Sequence, residues 1–557
     1  MSADIEFEWK NRGGHSVSER GSSRQAMADY PVGADRSSHL AKHEAAVSLI
    51  ARQVAHFHSS DIPFRIFHGN TNSTRPSVRT RADTIDISLL QNVISVNQTT
   101  RKCLVEPNVP MDALVAATLP HGLVPPVVPE FPGITVGGAF AGTAGESSSF
   151  RHGFFDKAVT WTEVILPDGE IVIASKDNKY EDLFSGLAGT FGTLGVTTLF
   201  EISLVPAKKF VELSYIPVGT IEDAQRVIHR VTEDKEMDFL DGIMFAPEKG
   251  VIMAGKFADR NSTNSDISVV TFTKAWDQWF YLHAEQVANK SIGVDTRESP
   301  IPTSKSPAAA VHRRDLIPLT DYLFRYDRGA FWTGRFAFTY FLTPFNRFAR
   351  WLGDHYMHTR IMYHALHRSG LMQRFIIQDM ALPNKNIPEF SAWLDTELPH
   401  IYPRWLCPLK TEETVSMHPH LAPAAASDDD VLLNIGVWGP TPPGMRQVTV
   451  NRKIEAKLKS LQGMKWLYAQ TFYTEDEFWH IYDRNWYEAL RKKYRAEKLP
   501  SVYEKVRTKF EVDGGSNTGG DGEISLGIEK GFWSIWPFAG VYGVLSAIKG
   551  GDYLRKS

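Results

Sequence analysis

Apolar and polar positions recur along this chain with two periods, and the switches between them mark out the elements. Ala46, Ile50, Val54 and Phe57 keep helical spacing, which predicts a helix over 36–60 with Ser38 as its N-cap. Short strand-like runs follow at 64–67, 83–88 and 102–108, then a helix over 111–122 ending at Gly122. Residues 167–175 form a hairpin through their Pro-Asp-Gly turn, and 200–209 is a further strand. Beyond 210 the pattern predicts a strand over 210–218, a helix over 221–233 and two strands within 241–259 that turn at Pro247–Gly250. Late strands are predicted at 432–438 and 466–473, the latter placing Tyr468 and Tyr473 in alternation with apolar residues.

These texture changes divide the sequence into a polar, disordered tail (1–35), an α+β unit with Gly-rich loops (36–210) and a second, aromatic-rich α+β unit (211–510). A flexible linker (511–530) and an apolar segment (531–557) follow. Residues 531–548 carry no charge between Lys530 and Lys549, so this segment either dips into a membrane or packs as a hairpin or helix on the body. Eight of the 18 residues from Phe331 to Phe348 are aromatic; they line a substrate channel, touch a bilayer or pack in the core. The first 35 residues contain no apolar run of signal-peptide length.

Length and composition narrow the function. At ~150 residues per domain, 557 residues allow three to four domains. With 43% hydrophobic and 22% charged residues, the protein has enough apolar surface to bury a large core. A net charge of −3 argues against nucleic-acid binding. Cys103 and Cys407 are the only cysteines, too few for a disulfide framework or a Cys-rich metal site, and the histidine spacings give no compact metal set. No P-loop, nucleophile elbow, HExxH motif or dinucleotide-binding GxGxxG turn occurs.

Three small-residue loops remain: HGNTNSTR (68–75), TVGGAFAGTAGESSSFRHG (135–153) and GLAGTFGTLGVTT (186–198). Glycines allow close backbone approach to an anion, and Ser and Thr add neutral donors, a set suited to a buried pyrophosphate. The order of these loops, with EPNVPMDAL, LPDGEIV and VPAKKFV between and after them, resembles the FAD-binding domain of the PCMH-type (vanillyl-alcohol oxidase) flavoproteins. Segments 376–383, 400–408, 466–479 and 500–506 extend the likeness to the delta(24)-sterol reductase family, over residues 40 to 510.

That resemblance implies a two-subdomain FAD-binding domain followed by an α+β substrate domain. It implies that His68, Gly69, Asn70, Thr71, Asn72 and Ser73 hold the pyrophosphate, with Asn72 where related enzymes carry a flavin-linked histidine, so that FAD is non-covalent. It places Thr135, Val136, Gly137, Gly138, Gly142, Thr143, Gly145, Glu146, Ser147 and Ser148 near the phosphates and flavin ring. Gly192, Thr193, Gly195 and Val196 come near the adenine half or the ring. The implied reaction is NADPH-driven reduction of a double bond in the sterol tail, with a proton from Asp379, His400, Tyr402, Tyr468 or Tyr473. Other implied readings are an oxidase or isomerase acting on another isoprenoid lipid, and a non-catalytic sterol binder. The family's setting implies association with the endoplasmic reticulum membrane, facing the cytosol, or a cytoplasmic enzyme if attachment is lost. No metal is expected, and the oligomeric state is open.

Overall fold

Strand alternation shapes the C-terminal half of the molecule. In Phe375–Pro383, Ile377, Asp379 and Ala381 point to one face while Ile376, Gln378, Met380 and Leu382 point to the other. The neighbouring strand Val431–Pro440 keeps the same period, with Asn434 and Trp438 on the first face and Leu433, Ile435 and Val437 on the second. These two belong to an eight-stranded antiparallel sheet. Its spatial order is Arg313–Pro318, Phe210–Val218, Lys249–Ala258, Phe239–Ala246, Arg404–Lys410, Val431–Pro440, Phe375–Pro383 and Met464–Lys465. Helices Ile221–Glu233, Ile387–Glu397 and Gln447–Ser460 bury their apolar stripes against the second face. The first face turns toward the N-terminal half.

That N-terminal half holds a five-stranded antiparallel sheet, ordered Val93–Asn97, Lys102–Val105, Val196–Ser203, Val159–Ile165 and Ile171–Ser175. A parallel pair, Arg65–Phe67 with Thr84–Asp86, lies beside it. The architecture is α+β. The computed structural model describes residues 34–67, 74, 81–261, 264–290, 313–410, 416–418, 431–508, 537 and 540–545. The predicted N-terminal tail (but for its last two residues), the loop 68–73 and the linker 511–530 lie outside them, as does most of the apolar C-terminal segment.

Buried ion pairs fix the first helix. His43 on Ala34–Ser59 bonds Glu106 at 2.8 Å and Glu163 at 3.1 Å, tying the helix to the sheet beneath it. Glu106 also accepts from the backbone N–H and side-chain amide of Asn92. The later helices return to this half. Tyr487 bonds Thr193, Lys493 and Tyr494 bond Asp182, and Arg495 pairs with Asp168 and Glu170. This return brings residues from both ends of the protein to one cavity.

Two predicted elements differ. The first helix begins at Ala34, so Ser38 sits inside it instead of capping it: nothing between Gly33 and Ser38 breaks a helix. Residues 466–473 are not a strand. After Met464–Lys465 the Lys465 ammonium, buried beside Glu455 at 2.9 Å, binds Gln470 O at 2.6 Å and draws the intervening residues into a turn. Cys103 and Cys407 are both buried and unbridged.

Candidate functional site

A cavity of about 320 Å³ lies between the two halves. Its floor is the second glycine loop. Thr135 caps the helix Val136–Ala141, its Oγ1 accepting from Gly138 N–H at 3.2 Å. Gly137, Gly138, Gly142 and Gly145 then line the cavity without side chains. Space explains Gly137: a Cβ there would come 2.9 Å from Pro107 Cβ and 3.2 Å from its carbonyl oxygen. The N–H groups of Val136, Gly137, Gly138 and Ala139 all bond within the fold, so these residues contribute close approach more than donors. Gly192, at φ +74, lines the cavity from the third loop, where a Cβ would lie 2.6 Å from Ile66 Cδ1.

Arg65 and Lys505 supply the cavity's cations. Lys505 comes from the helix Val502–Val506 and donates to Phe191 O, which seats its charge beside Gly192. A side-chain-free floor with two cations nearby fits a diphosphate, and the apolar remainder fits a flat ring and a lipid tail.

The opposite lining comes from the first face of the eight-stranded sheet. Tyr468 Oη donates to Asp379 Oδ2 at 2.5 Å, and Asn434 Nδ2 donates to Asp379 Oδ1 at 3.2 Å. Gly436 makes room for this carboxyl, since a Cβ there would lie 2.8 Å from Asp379 Oδ1. Burial pushes the Asp379 carboxyl above its ordinary pKa, against the opposing pull of its Tyr468 and Asn434 bonds. Around it, Phe331 lies 5.1 Å from Trp438 and 5.2 Å from Trp405, and Phe131 lies 5.7 Å from Phe331 and 6.0 Å from Tyr363 (ring centroids). Phe331 holds φ +61, a region aromatic residues rarely enter, with its ring stacked on Tyr326 at 4.1 Å. Trp405 is fixed by Asp241, which also accepts from Tyr326 and the buried Arg325.

A second acid lines the same cavity. Glu130 is 7% exposed, and its Oε1 meets no hydrogen-bond partner among the described residues. Burial first, and the neighbouring Glu146 second, push its carboxyl well above the ordinary range.

The predicted residues separate on this geometry. Thr135, Gly137, Gly138, Gly142, Gly145, Gly192, Asp379 and Tyr468 line the cavity. Val136, Thr143, Thr193, Gly195 and Val196 support it from behind: Thr143 O accepts from Trp466 Nε1 at 2.9 Å, and Thr193 bonds Tyr487. Glu146, Ser147 and Ser148 bond one another beneath the floor, where Ser147 also meets Tyr322. Tyr402 bonds Asp395 in a separate pocket, and exposed His400 reaches Pro440 O. Tyr473 is buried under Lys465, off the lining. His68, Gly69, Asn70, Thr71, Asn72 and Ser73 lie outside the described residues.

Sequence reasoning missed Glu130, Asn434, Arg65 and Lys505. Glu130 and Asn434 did leave a signal, each being a lone polar residue in an apolar run (PVVPEFPG and LLNIGVW). The two cations left none. Among the described residues no cluster of three or more His, Cys, Asp or Glu could hold a metal.

Comparison with known proteins agrees with this geometry. Residues 40–175 match the model of the FAD binding domain family. The Delta(24)-sterol reductase of Pisum sativum is 28% identical over 468 residues, 77% of this chain and 77% of the relative. The human Delta(24)-sterol reductase is 28% identical over 426 residues, 75% of this chain and 76% of the relative. A Delta(24)-sterol reductase homolog of Caenorhabditis elegans is 26% identical over 453 residues, 77% and 80%. With its glycine-floored cavity and PCMH-type FAD-binding domain, this protein is an FAD-dependent oxidoreductase, similar over about three quarters of its length to the delta(24)-sterol reductases.

Proposed function

We propose that this protein reduces the delta(24) double bond in the tail of a sterol, or of a similar isoprenoid, using electrons from NADPH and non-covalently bound FAD. Gly137, Gly138, Gly142, Gly192, Arg65 and Lys505 would hold the cofactor. Bound and reduced, FAD supplies the hydride. The protein's own task is the proton. An unactivated alkene accepts hydride poorly, so protonation of its less substituted carbon must lead or keep pace, leaving positive charge on the more substituted one. Hydride closes the C–H bond there, and the alkene gains two hydrogens in all.

The observation that carries this reading is the buried carboxyl of Asp379 in an aromatic enclosure. Burial favours the protonated form of this carboxyl, and the bonds from Tyr468 and Asn434 stabilise the carboxylate left after transfer. The faces of Phe331, Trp405 and Trp438 favour positive charge at the alkene and exclude water. Asp379 is the donor in this reading, and Tyr468 and Asn434 position it.

The test is anaerobic. Purified protein should be yellow and release its FAD on denaturation. NADPH should bleach it, and desmosterol should restore the colour with a product two hydrogens heavier. Colourless protein that takes up no FAD overturns the flavoenzyme reading. Reduced protein that O₂ reoxidises rapidly with peroxide release, but desmosterol does not, points to an oxidase.

A further inference from the structure

The helix Arg347–Leu352 turns its apolar stripe outward. Phe348, Trp351 and Leu352 fall at i, i+3 and i+4, one face of a helix, yet no residue of this helix is buried. Phe348 is 61% exposed and Leu352 69%. The preceding turn projects Leu342, 76% exposed, at φ +52, a conformation that leucine rarely adopts. Exposed Trp276 joins from another segment, its ring 5.8 Å from Trp351. Soluble helices hide such a stripe; exposed and contiguous, it marks a contact surface.

Charge selects the partner. Between Asp327 and Asp354 every charged residue is an arginine; Arg328 is buried on Asp354, which leaves Arg335, Arg347 and Arg350 toward the surface. Arg347 donates to Trp276 O at 3.0 and 3.2 Å and stacks over the Trp276 ring, which seats a cation beside the apolar stripe. Asp354 offers no opposing surface charge, being buried and paired with Arg328 and His358. Residues 540–545, from the uncharged run 531–548, form a helix against the same region. Gly540 N–H donates to Tyr340 Oη at 3.3 Å, and Val541 and Leu545 add exposed apolar surface.

We propose that Arg347–Leu352, the Leu342 turn and the helix at 540–545 form one face that docks on an anionic lipid bilayer. Trp and Arg side by side suit the headgroup level, while Phe348, Leu352 and Leu342 reach the acyl boundary. The face adjoins the site: the helix Thr359–Ser369 sets Tyr363 in the cavity lining and packs Ala365 and Ser369 closely against Gly543.

The experiment uses full-length, FAD-loaded protein and vesicle flotation, with phosphatidylcholine alone or mixed with phosphatidylserine. No sterol turnover is read, so it stands or falls apart from the reductase reading. Wild-type protein should float with the mixed vesicles and less so in high salt. Phe348→Ser/Leu352→Ser should weaken binding about tenfold or more. Arg347→Gln/Arg350→Gln should lose only the preference for anionic lipid. Leu49→Ser/Leu89→Ser, altering exposed apolar residues elsewhere, should bind as wild type. Hydrogen exchange on wild-type protein gives a readout free of folding defects: vesicles should protect peptides spanning 341–356. Three results overturn the proposal: wild type that does not float, a Phe348/Leu352 variant that binds unchanged (anchoring by the C-terminal segment alone), and a wild-type dimer that this variant dissolves (a second copy as the occupant).

Discussion

Tyr468 donates its hydroxyl to Asp379 Oδ2 at 2.5 Å, joining a turn to a strand 89 residues away. The bond lowers the Asp379 pKa against the larger upward push of burial. Two outcomes follow. Asp379→Asn should cut turnover about 10²–10⁴-fold while leaving FAD content and NADPH bleaching intact. Tyr468→Phe removes the downward pull, so its alkaline limb of activity should move to higher pH. A pH profile of single turnover checks both, and an unmoved limb would show that Tyr468 does not act through Asp379.

Glu130 tests how the second acid is held. Its pKa is raised on folding, so the native state favours the neutral form, and stability falls as pH climbs above the ordinary 4.5. Glu130→Gln removes that penalty. The variant should match wild type in acid and melt higher near neutral pH, as thermal unfolding across pH would show. A wild-type advantage at neutral pH would mean the carboxylate is charged and paired in the native state.

Gly137→Ala tests the cavity floor. The added methyl meets Pro107 at 2.9 Å, so the helix Val136–Ala141 must shift, at a cost of about 1–3 kcal/mol. Protein should be recovered with little flavin, read as the ratio of visible to ultraviolet absorbance. Full flavin loading would show that this approach is not needed.

His43 predicts a pH dependence far from the site. Burial alone would lower its pKa, but Glu106 and Glu163 outweigh it and raise the value from 6.5 to about 9. A raised histidine contributes stability that is fully present below pH 6.5 and lost as pH rises through about 9. The contribution is on the order of 3 kcal/mol at most. His358, raised to about 9 by Asp327 and Asp354 against its own burial, titrates in the same window. His43→Gln should therefore lower Tm at pH 6 and flatten, without abolishing, the decline toward pH 9.

Much of this was legible along the sequence, because some residues carry their structural reason locally. Thr220 and Asp223 close a capping box that starts the helix at Ile221, as its spacing predicts. The strand Phe210–Val218 and the second and third glycine loops were equally plain. The proton-donor candidates were not. Asp379, His400, Tyr402, Tyr468 and Tyr473 all lie in segments that resemble the reductases, yet only Asp379 and Tyr468 reach the cavity. Strand period puts Asp379 on the cavity face and Gln378 on the other, but which face holds the cavity is set by what packs there.

By itself the sequence determined the α+β elements, the flavin-type loops and the uncharged C-terminal run, since each depends on residues close together along the backbone. Only the tertiary structure decided which charged side chains line the cavity. Arg65 and Lys505 line one cavity because the last helices fold back through Tyr487, Lys493 and Arg495. Tyr468 reaches Asp379 because the buried Lys465 ammonium turns the backbone there. Long-range ion pairs and burial fix these positions, and neither leaves a periodic trace in sequence.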